Sequence, residues 1–265
     1  MSHISYSELK EWTDCAWKHK LNYIDKIKQF KGNEHTSFGS ALHTVCEELV
    51  QNKDQEQDFE LLFEQEFIKN LQRVKESSPN IEFSNDLITS MRTQGKHIIQ
   101  FILPALKKYF GKFELYSVEE QLYEPIKNDK VDKKFKGFID LIIYTPDTKK
   151  YHIIDWKTCS WGWDSRKKSD KMITYQLTLY KHFWAKKHGK NYNEIATHFA
   201  LLKRTANKNN VEIFKVTNGE KKISNALKLL NKAVYNINKC NHVKNRLSCY
   251  GKYGVCEYYK TKHCS

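Results

Sequence analysis

Residues 151–158 read YHIIDWKT, a short apolar run that ends in two charged side chains, Asp155 and Lys157. The first half of this stretch predicts a buried β-strand. Because side chains on a strand alternate between its two faces, Asp155 and Lys157 point to one face and Trp156 points to the other. An ionised group is costly to bury without a partner, so a core strand that ends in this way indicates chemistry rather than packing.

A second carboxylate lies in the middle of residues 135–145, FKGFIDLIIYT, which also read as a strand. The turn sequence TPDTKK separates the two strands, so they should form an antiparallel hairpin. Asp140 and Asp155 on adjacent strands would repel each other and raise one pKa unless a cation lay between them. Mg²⁺ binds through a few carboxylates together with waters and substrate phosphates. The hairpin therefore predicts a divalent metal site, with Lys157 placed to orient or deprotonate an attacking water.

The alternative is a buried ion pair between Asp140 and Lys157 that serves only the core. Such pairs stabilise a protein poorly, because the cost of desolvation tends to cancel the attraction. This interpretation also leaves Asp155 without a partner, so the metal site is favoured.

The remaining pattern predicts an α/β domain. Residues 5–8, SYSE, form a capping box that begins a helix near Tyr6. The last 25 residues are loop-like and rich in Cys and Tyr. Apolar spacing predicts helices from about Ser37 and over 57–76, 85–110, 170–188 and 219–239, and strands over 115–126, 196–205 and 211–217.

The chain of 265 residues carries a net charge of +14, with 45 Lys and Arg against 31 Asp and Glu. A basic surface favours a polyanionic partner, of which nucleic acid is the first candidate. The alternative is a solvated, lysine-rich surface without such a partner. No long apolar run or basic amphipathic anchor indicates a membrane partner.

The first twelve residues, MSHISYSELKEW, contain no apolar signal core, which favours an intracellular, cytoplasmic protein that is not secreted. In that compartment the seven cysteines predict reduced thiols, metal ligands or a cluster rather than disulfides.

Three motifs occur in a specific order, and together they resemble the signature of PD-(D/E)XK nucleases of the RecB type. They are Gly137 to Asp140, Asp155 to Thr158, and Gln176 to Tyr180, which match the family's GxxD strand, D/E-x-K strand and QxxxY helix. Two upstream stretches are similar as well. Residues 38–43, FGSALH, resemble the family's small-residue turn before a helical His, and residues 5–15 resemble its N-terminal Ser-x-Ser-x-Leu…Cys pattern.

This resemblance implies a restriction-endonuclease-like fold, in which helices flank a mixed β-sheet core. An N-terminal helical region and a Cys-rich C-terminal tail would complete it, as in CRISPR-associated and AddB-like members that bear a cluster. It implies one nuclease domain over 1–265, with a mainly helical part (1–112), a catalytic sheet and helix (113–217), and a C-terminal helix and tail (218–265).

The resemblance also implies roles for individual residues. Asp140 and Asp155 would bind Mg²⁺ or Mn²⁺, with His43 as a third ligand and the Trp156 carbonyl as a fourth. Lys157 would be the catalytic lysine. Without the motif order, His43 would be taken for an ordinary helix histidine. Two further residues, Gln176 and Tyr180, would orient the lysine or the scissile phosphate.

Glutamates near these motifs are weaker candidates. Glu120 lies in the predicted strand 115–126, where the family often has a functional acidic residue, and it is the residue we expect in the site. Strand alternation places Glu119 on the opposite face, although a shift of register would exchange the two. Glu47, one turn after His43, could support its ring or make a surface contact.

The segment that follows the active strand places aromatic residues among cations. Trp161 and Trp163 precede Arg166, Lys167, Lys168 and Lys171. This arrangement suits single-stranded DNA, because bases stack on aromatic rings and phosphates pair with cations. The alternative is a solvated loop whose tryptophans pack on the core.

Four cysteines have the distribution of the cluster ligands in several RecB-type nucleases, with one near the N-terminus and three near the C-terminus. The resemblance implies that Cys15, Cys249, Cys256 and Cys264 hold a 4Fe-4S cluster. The spacing in the tail departs from the usual CxxC followed by a third Cys. This departure leaves two alternatives open: zinc, with His242 or His263 as a substitute ligand, and reduced thiols.

The sequence therefore predicts a metal-dependent DNA nuclease, most simply an exonuclease acting on single strands or free ends in replication, recombination or repair. A helicase or recombination protein is an expected partner. Two alternatives remain: a non-catalytic DNA-binding module on the same fold, and an RNA nuclease.

Overall fold

A computed structural model describes residues 2–27, 30–52, 57–126, 132–251 and 254–265. In chain order its elements are β1 (Ser2–Ser5), α1 (Tyr6–Asp14), α2 (Ala16–His19), a π-helical turn (Lys20–Ile24), α3 (Glu34–Gln51), α4 (Phe59–Ser77), α5 (Asn85–Phe110), β2 (Glu114–Pro125), β3 (Lys133–Thr145), β4 (Lys150–Cys159), α6 (Ser165–Ser169), α7 (Lys171–His188), a 3₁₀ turn (Tyr192–Glu194), β5 (Ile195–Lys203), β6 (Val211–Val216), α8 (Glu220–Asn238), a second 3₁₀ turn (Arg246–Cys249), β7 (Tyr250–Gly251) and β8 (Gly254–Val255).

The chain forms two compact units. The first contains Met1–Phe30, Leu122–Gly137 and Gly219–Ser265, and the second contains Lys31–Gln121 and Phe138–Asn218. The single nuclease domain over 1–265 stays a prediction.

In the second unit the strands follow the order β3-β4-β5-β6, and β2 pairs with β3. β3 and β4 are antiparallel, which confirms the predicted hairpin. β4 and β5 are parallel, with Asp155 opposite Phe199 and Lys157 opposite Leu201, and β5 and β6 are antiparallel. The mixed sheet with flanking helices confirms the predicted fold class.

Helices cover both faces of this sheet. Ile154 and Trp156 of β4 belong to the hydrophobic core that α3, α4 and α5 complete. On the other face α7 brings Gln176 to Asp155. The strand alternation predicted from YHIIDWKT is therefore observed, with an apolar face toward three helices and a polar face toward α7.

Each of the three helices that cover the core begins at a capping side chain, and these caps fix where the helices start. Asn33 accepts a hydrogen bond from the Thr36 amide, Asp58 accepts one from Leu61, and Ser84 accepts one from Leu87. The first of these helices, α3, carries His43.

Residues 38–43, which resemble the family's small-residue turn, lie within α3, and this agrees with the helix predicted from about Ser37. Gly39 allows this helix to approach β4 closely, because a Cβ on it would lie 3.2 Å from the Oγ1 of Thr158. The small residue therefore serves close packing between helix and strand, and it holds His43 next to the end of β4.

In the first unit β1 pairs in parallel with residues 133–136 of β3. The predicted helix start is confirmed at α1, where the Ser5 hydroxyl accepts a hydrogen bond from the Glu8 amide. The reciprocal half of the predicted capping box is not formed, because Oε1 of Glu8 contacts Nε2 of His19 at 2.8 Å. The helix α8 buries Ile223, Leu230 and Val234, as its predicted apolar stripe requires. The sequence did not predict β1 or α2.

Candidate active site

Two buried carboxylates, Asp140 and Asp155, form the centre of the candidate site. Asp155 is only 1% exposed and Asp140 is 8% exposed. The backbone N–H of Trp156 donates to Oδ2 of Asp140 at 2.7 Å, and Nε2 of Gln176 donates to Oδ1 of Asp155 at 2.6 Å. Burial raises the pKa of each carboxyl to about 6, although the positive charge of Lys157 opposes the shift.

Lys157 supplies positive charge to this pair. Its Nζ lies 2.5 Å from Oδ2 of Asp155. Burial lowers the pKa of Lys157, but the carboxylates of Asp155 and Asp140 outweigh that effect, and the net shift is upward. Lys157 therefore stays protonated at neutral pH in this arrangement, which favours stabilisation of negative charge over removal of a proton from water.

His43 lies beside Asp140, one of the two carboxylates. Its Nδ1 is 3.5 Å from Oδ2 of Asp140. Burial, and then the charge of Lys157, lowers the pKa of His43, whereas a hydrogen bond to the Trp156 backbone raises it. The neutral imidazole of His43 and the backbone carbonyl of Trp156 therefore lie beside Asp140. These are the two further metal ligands that the resemblance implies.

Gln176 and Tyr180 stand four residues apart on α7 and form a chain to Asp155. Nε2 of Gln176 is 3.3 Å from the Tyr180 hydroxyl and also donates to Asp155. Burial, followed by the charge of Asp155, raises the pKa of Tyr180, so its hydroxyl keeps its proton. The Gln176 amide therefore contacts Asp155, a predicted metal ligand, rather than Lys157.

The two glutamates of β2 lie differently from the expectation. Glu120 takes part in a separate network with α7, in which His188 and Lys187 contact its Oε1 at 2.6 and 2.8 Å. Burial would raise the pKa of Glu120, but hydrogen bonds from Lys187, His188, Ser117 and Trp184 lower it to about 2.

Glu119, not Glu120, faces the candidate site. It lies close enough to Asp140 and His43 for its charge to act on both. Its φ of +45° interrupts the alternation of the strand, and this is the physical reason for the exchange. A β-bulge leaves no short sequence signal, so alternation alone assigned the wrong glutamate to this face.

Glu47 joins Glu119 through a hydrogen bond between the two carboxyl groups. Burial and then the negative charge of Glu119 raise the pKa of Glu47 to about 8, which favours the protonated form of the Glu47 carboxyl at neutral pH. Both side chains line an open cleft of about 430 Å³ with His43, Ser40 and Thr44. The cleft gives solvent and substrate a route to His43.

The donors around the two aspartates fit a small divalent cation in their chemistry. Carboxylate and carbonyl oxygens suit Mg²⁺ or Mn²⁺, and an imidazole is compatible with Mn²⁺. A carboxylate pair this deeply buried needs a positive charge, which Lys157 supplies here. Across the described residues, however, no group of three or more His, Cys, Asp or Glu side chains is arranged as a metal site.

In the first unit, Cys15, Cys256 and Cys264 lie near enough to Cys249 for their charges to act on it, but among the described residues these thiols are not arranged as a metal site. Burial raises the pKa of the Cys249 thiol, and the charges of Cys256, Cys264 and Cys15 raise it further. Sγ of Cys15 accepts the backbone N–H of Asn245 at 3.4 Å. The thiol of Cys46 lies apart from these four, because Cys46 is buried in the core of the second unit.

Comparison with known proteins agrees with this geometry. A family model described as the PD-(D/E)XK nuclease superfamily matches residues 3–261. The fold also matches a solved structure from Eubacterium rectale, which is described as a "Putative exonuclease". That match has a TM-score of 0.57 and 13% identity, and it covers 98% of this chain and 86% of the other.

The search of curated proteins gives no match. In the described part of the chain, none of the helices has the length and apolarity that crossing a membrane requires.

Proposed function

The chain belongs to the PD-(D/E)XK nuclease superfamily, and we propose that it is a Mg²⁺- or Mn²⁺-dependent DNA exonuclease of the RecB type. The observation that carries the proposal is the group formed by Asp140, Asp155 and Lys157. Two carboxyls with a raised pKa lie beside one ammonium on the interior strands β3 and β4. A structural core gains little from such a group, whereas phosphodiester hydrolysis needs each of its members.

Asp140, Asp155, His43 and the Trp156 carbonyl would hold the cation. When bound, it supplies Lewis-acid stabilisation of the phosphate and lowers the pKa of nearby water. Lys157 orients the attacking water and stabilises the negative charge that develops on the phosphate. Water attacks phosphorus in line and releases a proton to solvent, and the bond to the leaving oxygen breaks as that oxygen takes up a proton from solvent.

The role of Gln176 follows from its contacts. By donating to Oδ1 of Asp155 it fixes the carboxylate plane and leaves Oδ2 toward Lys157. Tyr180 holds the Gln176 amide in turn. These two residues are positioning residues, because they act through Asp155.

DNA is the substrate that the remaining features support. The net charge of +14 suits a polyanion, and the neighbour from Eubacterium rectale is described as an exonuclease. A role in replication, recombination or repair, with a helicase or recombination protein as partner, would supply the free ends. A non-catalytic DNA-binding module is disfavoured, because it would not need Asp140, Asp155 and Lys157 together.

The test is a cleavage assay of the full chain on labelled single- and double-stranded DNA with Mg²⁺, Mn²⁺ or EDTA. We expect metal-dependent release of mononucleotides or short fragments from linear DNA and protection of covalently closed circles. Cleavage of circles at the same rate would identify an endonuclease. Binding without cleavage would leave the non-catalytic module, and cleavage of RNA alone would identify an RNA nuclease.

We further propose that Cys15, Cys249, Cys256 and Cys264 bind a 4Fe-4S cluster, with Zn²⁺ as the alternative occupant. Their mutual electrostatic influence and N–H donors to two of the sulfurs support this. Besides the bond from Asn245, Nη1 of Arg246 lies 3.7 Å from Sγ of Cys264. Hydrogen bonds to sulfur tune such clusters. The group would join the N-terminal and C-terminal segments of the first unit.

The cluster has its own test. Protein purified without oxygen should be brown, with broad visible absorption and about four irons per chain. Cys256→Ser should lose the colour, whereas Cys46→Ser, in the core of the other unit, should keep it. Colourless protein with zinc would support the alternative, and protein free of both metals would contradict the proposal.

A further inference from the structure

Trp161 presents its indole to solvent just beyond the strand that carries the candidate catalytic residues. Its side chain is 73% exposed, although tryptophan is on average highly buried. β4 ends at Cys159, so Trp161 lies four residues after Lys157. An extended chain of four residues spans about 13 Å, so the Cα of Trp161 lies at most that far from the Cα of Lys157.

The backbone under Trp161 is held in place. The carbonyl of Cys159 accepts the Arg204 amide at 2.8 Å, and the carbonyl of Ser160 accepts the Thr205 amide at 2.9 Å. Gly162 follows with a φ of +125°, and a Cβ there would lie 3.2 Å from Cδ of Lys203. A ring on a fixed backbone loses little freedom on binding, which favours a binding role.

Trp163 has a different role, although the sequence presents the two tryptophans as a pair. Its ring packs edge-on against Phe199 at 5.2 Å and against Phe214 at 6.1 Å. Nζ of Lys167 lies 4.6 Å from the ring centre. Through these contacts the ring of Trp163 anchors the turn formed by residues 160–163. The two tryptophans therefore have different roles.

One aromatic ring connects this turn to the active site. Phe199, which Trp163 contacts, lies opposite Asp155 in the β4–β5 register. Nζ of Lys157 is 5.9 Å from the centre of the same ring. The turn therefore lies on the face of the sheet that carries Asp155 and Lys157, and not on the face toward the helical core.

Exposed cations lie next to this turn. Arg166 on α6 and Lys171 at the start of α7 are solvent-exposed. Lys168, by contrast, pairs with Glu212 and lies over Phe214. The exposed pair can contact phosphates, and the exposed indole can contact a base, which is the combination that single-stranded nucleic acid requires.

We propose that Trp161 is a stacking platform for one base of single-stranded DNA near the scissile phosphate. This inference rests on the proposed function and adds to it that the substrate is single-stranded where it enters the site. Inside a duplex, neighbouring base pairs stack on both faces of a base and leave none for the indole. Arg166 and Lys171 contact the phosphates on either side of the stacked base.

The test compares Trp161→Ala, Trp161→Phe and the parent for binding of labelled oligothymidine in EDTA, where no cleavage occurs. An oligomer of the same length that lacks bases is the control ligand. Phe101→Ala, which removes an exposed ring from α5, is the control variant. We expect Trp161→Ala to weaken oligothymidine binding about tenfold. We expect Trp161→Phe and Phe101→Ala to bind nearly as the parent does.

On the oligomer without bases, all four proteins should bind equally. Unchanged oligothymidine binding by Trp161→Ala would overturn the platform, and so would an equal loss on the oligomer without bases. Cleavage by the parent is measured separately with Mg²⁺ or Mn²⁺. A parent that binds with the predicted Trp161 effect but does not cleave would refute the proposed function and leave the platform standing.

Discussion

At the residue scale, one backbone angle decides which glutamate of β2 faces the candidate site. The positive φ of Glu119 places it near Asp140 and turns Glu120 toward Lys187 and His188 on α7. The two adjacent glutamates therefore have different roles. Glu119 acts electrostatically at the cleft, and Glu120 stabilises the contact between β2 and α7.

Glu120→Gln should lower the free energy of unfolding by about 2 kcal/mol, because hydrogen bonds to a charged group are lost from a partly buried network. Urea unfolding at pH 7 measures the change. Glu66→Gln is the matched control, since Glu66 pairs with an exposed Lys69 and should change stability by less than about 1 kcal/mol. Equal effects of the two substitutions would contradict the network's structural role.

Glu119→Gln should leave the fold intact and lower metal-dependent cleavage at least about tenfold, as expected when a carboxylate beside a metal site is lost. Folding should not suffer, because a glutamine side chain can still form a hydrogen bond with the Glu47 carboxyl. Steady-state cleavage with Mg²⁺ and Mn²⁺ measures the effect. Full activity of Glu119→Gln, together with an inactive but folded Glu120→Gln, would restore the original assignment.

A histidine pair in the second unit should make stability depend on pH. Nδ1 of His152 lies 3.0 Å from Nε2 of His198, and Thr145 contacts the other nitrogen of His152 at 2.9 Å. Burial, followed by nearby positive charge, lowers the pKa of His152 to about 4 and that of His198 to about 3.

The unfolded chain takes up protons on these residues near pH 6.5 and the folded chain does not. The stability that the pair contributes is therefore fully present above about pH 6.5 and is lost as the pH falls through about 4. Replacing His198 by Gln should make the decline of unfolding free energy between these pH values shallower, by about 1.4 kcal/mol per pH unit at most. Denaturant curves at pH 7, 6, 5 and 4 measure it, and parallel profiles for both proteins would contradict the prediction.

At the element scale, the packing of α4 against α5 depends on a glycine. A Cβ on Gly95 would lie 2.2 Å from Cζ of Phe63, whose ring also packs on Phe38 and Phe67. The helices approach each other here because Gly95 has no side chain.

Gly95→Ala should therefore destabilise the protein by about 1–3 kcal/mol, although alanine has the better helix propensity. The size of the effect should fall when Phe63→Leu is also present, because the shorter side chain makes room for the new methyl group. A double-mutant cycle in urea measures this coupling. Additive effects would show that the two residues do not meet.

The elements that the sequence predicted are those with a local cause. The Ser5 N-cap, the TPDTKK turn and the period-two pattern of YHIIDWKT each act over a few residues, and α1 and the β3–β4 hairpin confirm them. The stretch Ser2–Ser5 forms a strand only because 133–136 pairs with it, and no local pattern marks such long-range pairing.

The candidate site was also predictable from the sequence where its residues belong to local motifs. The order of the motifs named Asp140, Asp155, Lys157 and Gln176, which the fold brings together. The exchange of Glu119 and Glu120, which sequence reasoning missed, depends on backbone geometry, namely the positive φ at Glu119. Their roles in catalysis remain predictions.

At the scale of the whole molecule, the net charge of +14 should control affinity for DNA. Each phosphate contact releases counterions, so binding should weaken steeply as salt increases. Between 50 and 200 mM salt we expect at least about a tenfold loss for oligothymidine, measured by anisotropy in EDTA. Affinity that does not change with salt would contradict a basic DNA-binding surface.

The central claim is that Asp140 and Lys157 carry out metal-dependent hydrolysis of DNA, and substitution of each residue tests it most directly. The measurement is cleavage of labelled linear DNA with Mg²⁺ by Asp140→Ala and Lys157→Ala. The control is Lys96→Ala, because Lys96 lies on α5 and pairs with Glu64 of α4. We expect no cleavage above background by the first two variants, largely retained binding of oligothymidine, and parent-like cleavage by the control. Undiminished cleavage by both Asp140→Ala and Lys157→Ala would contradict it.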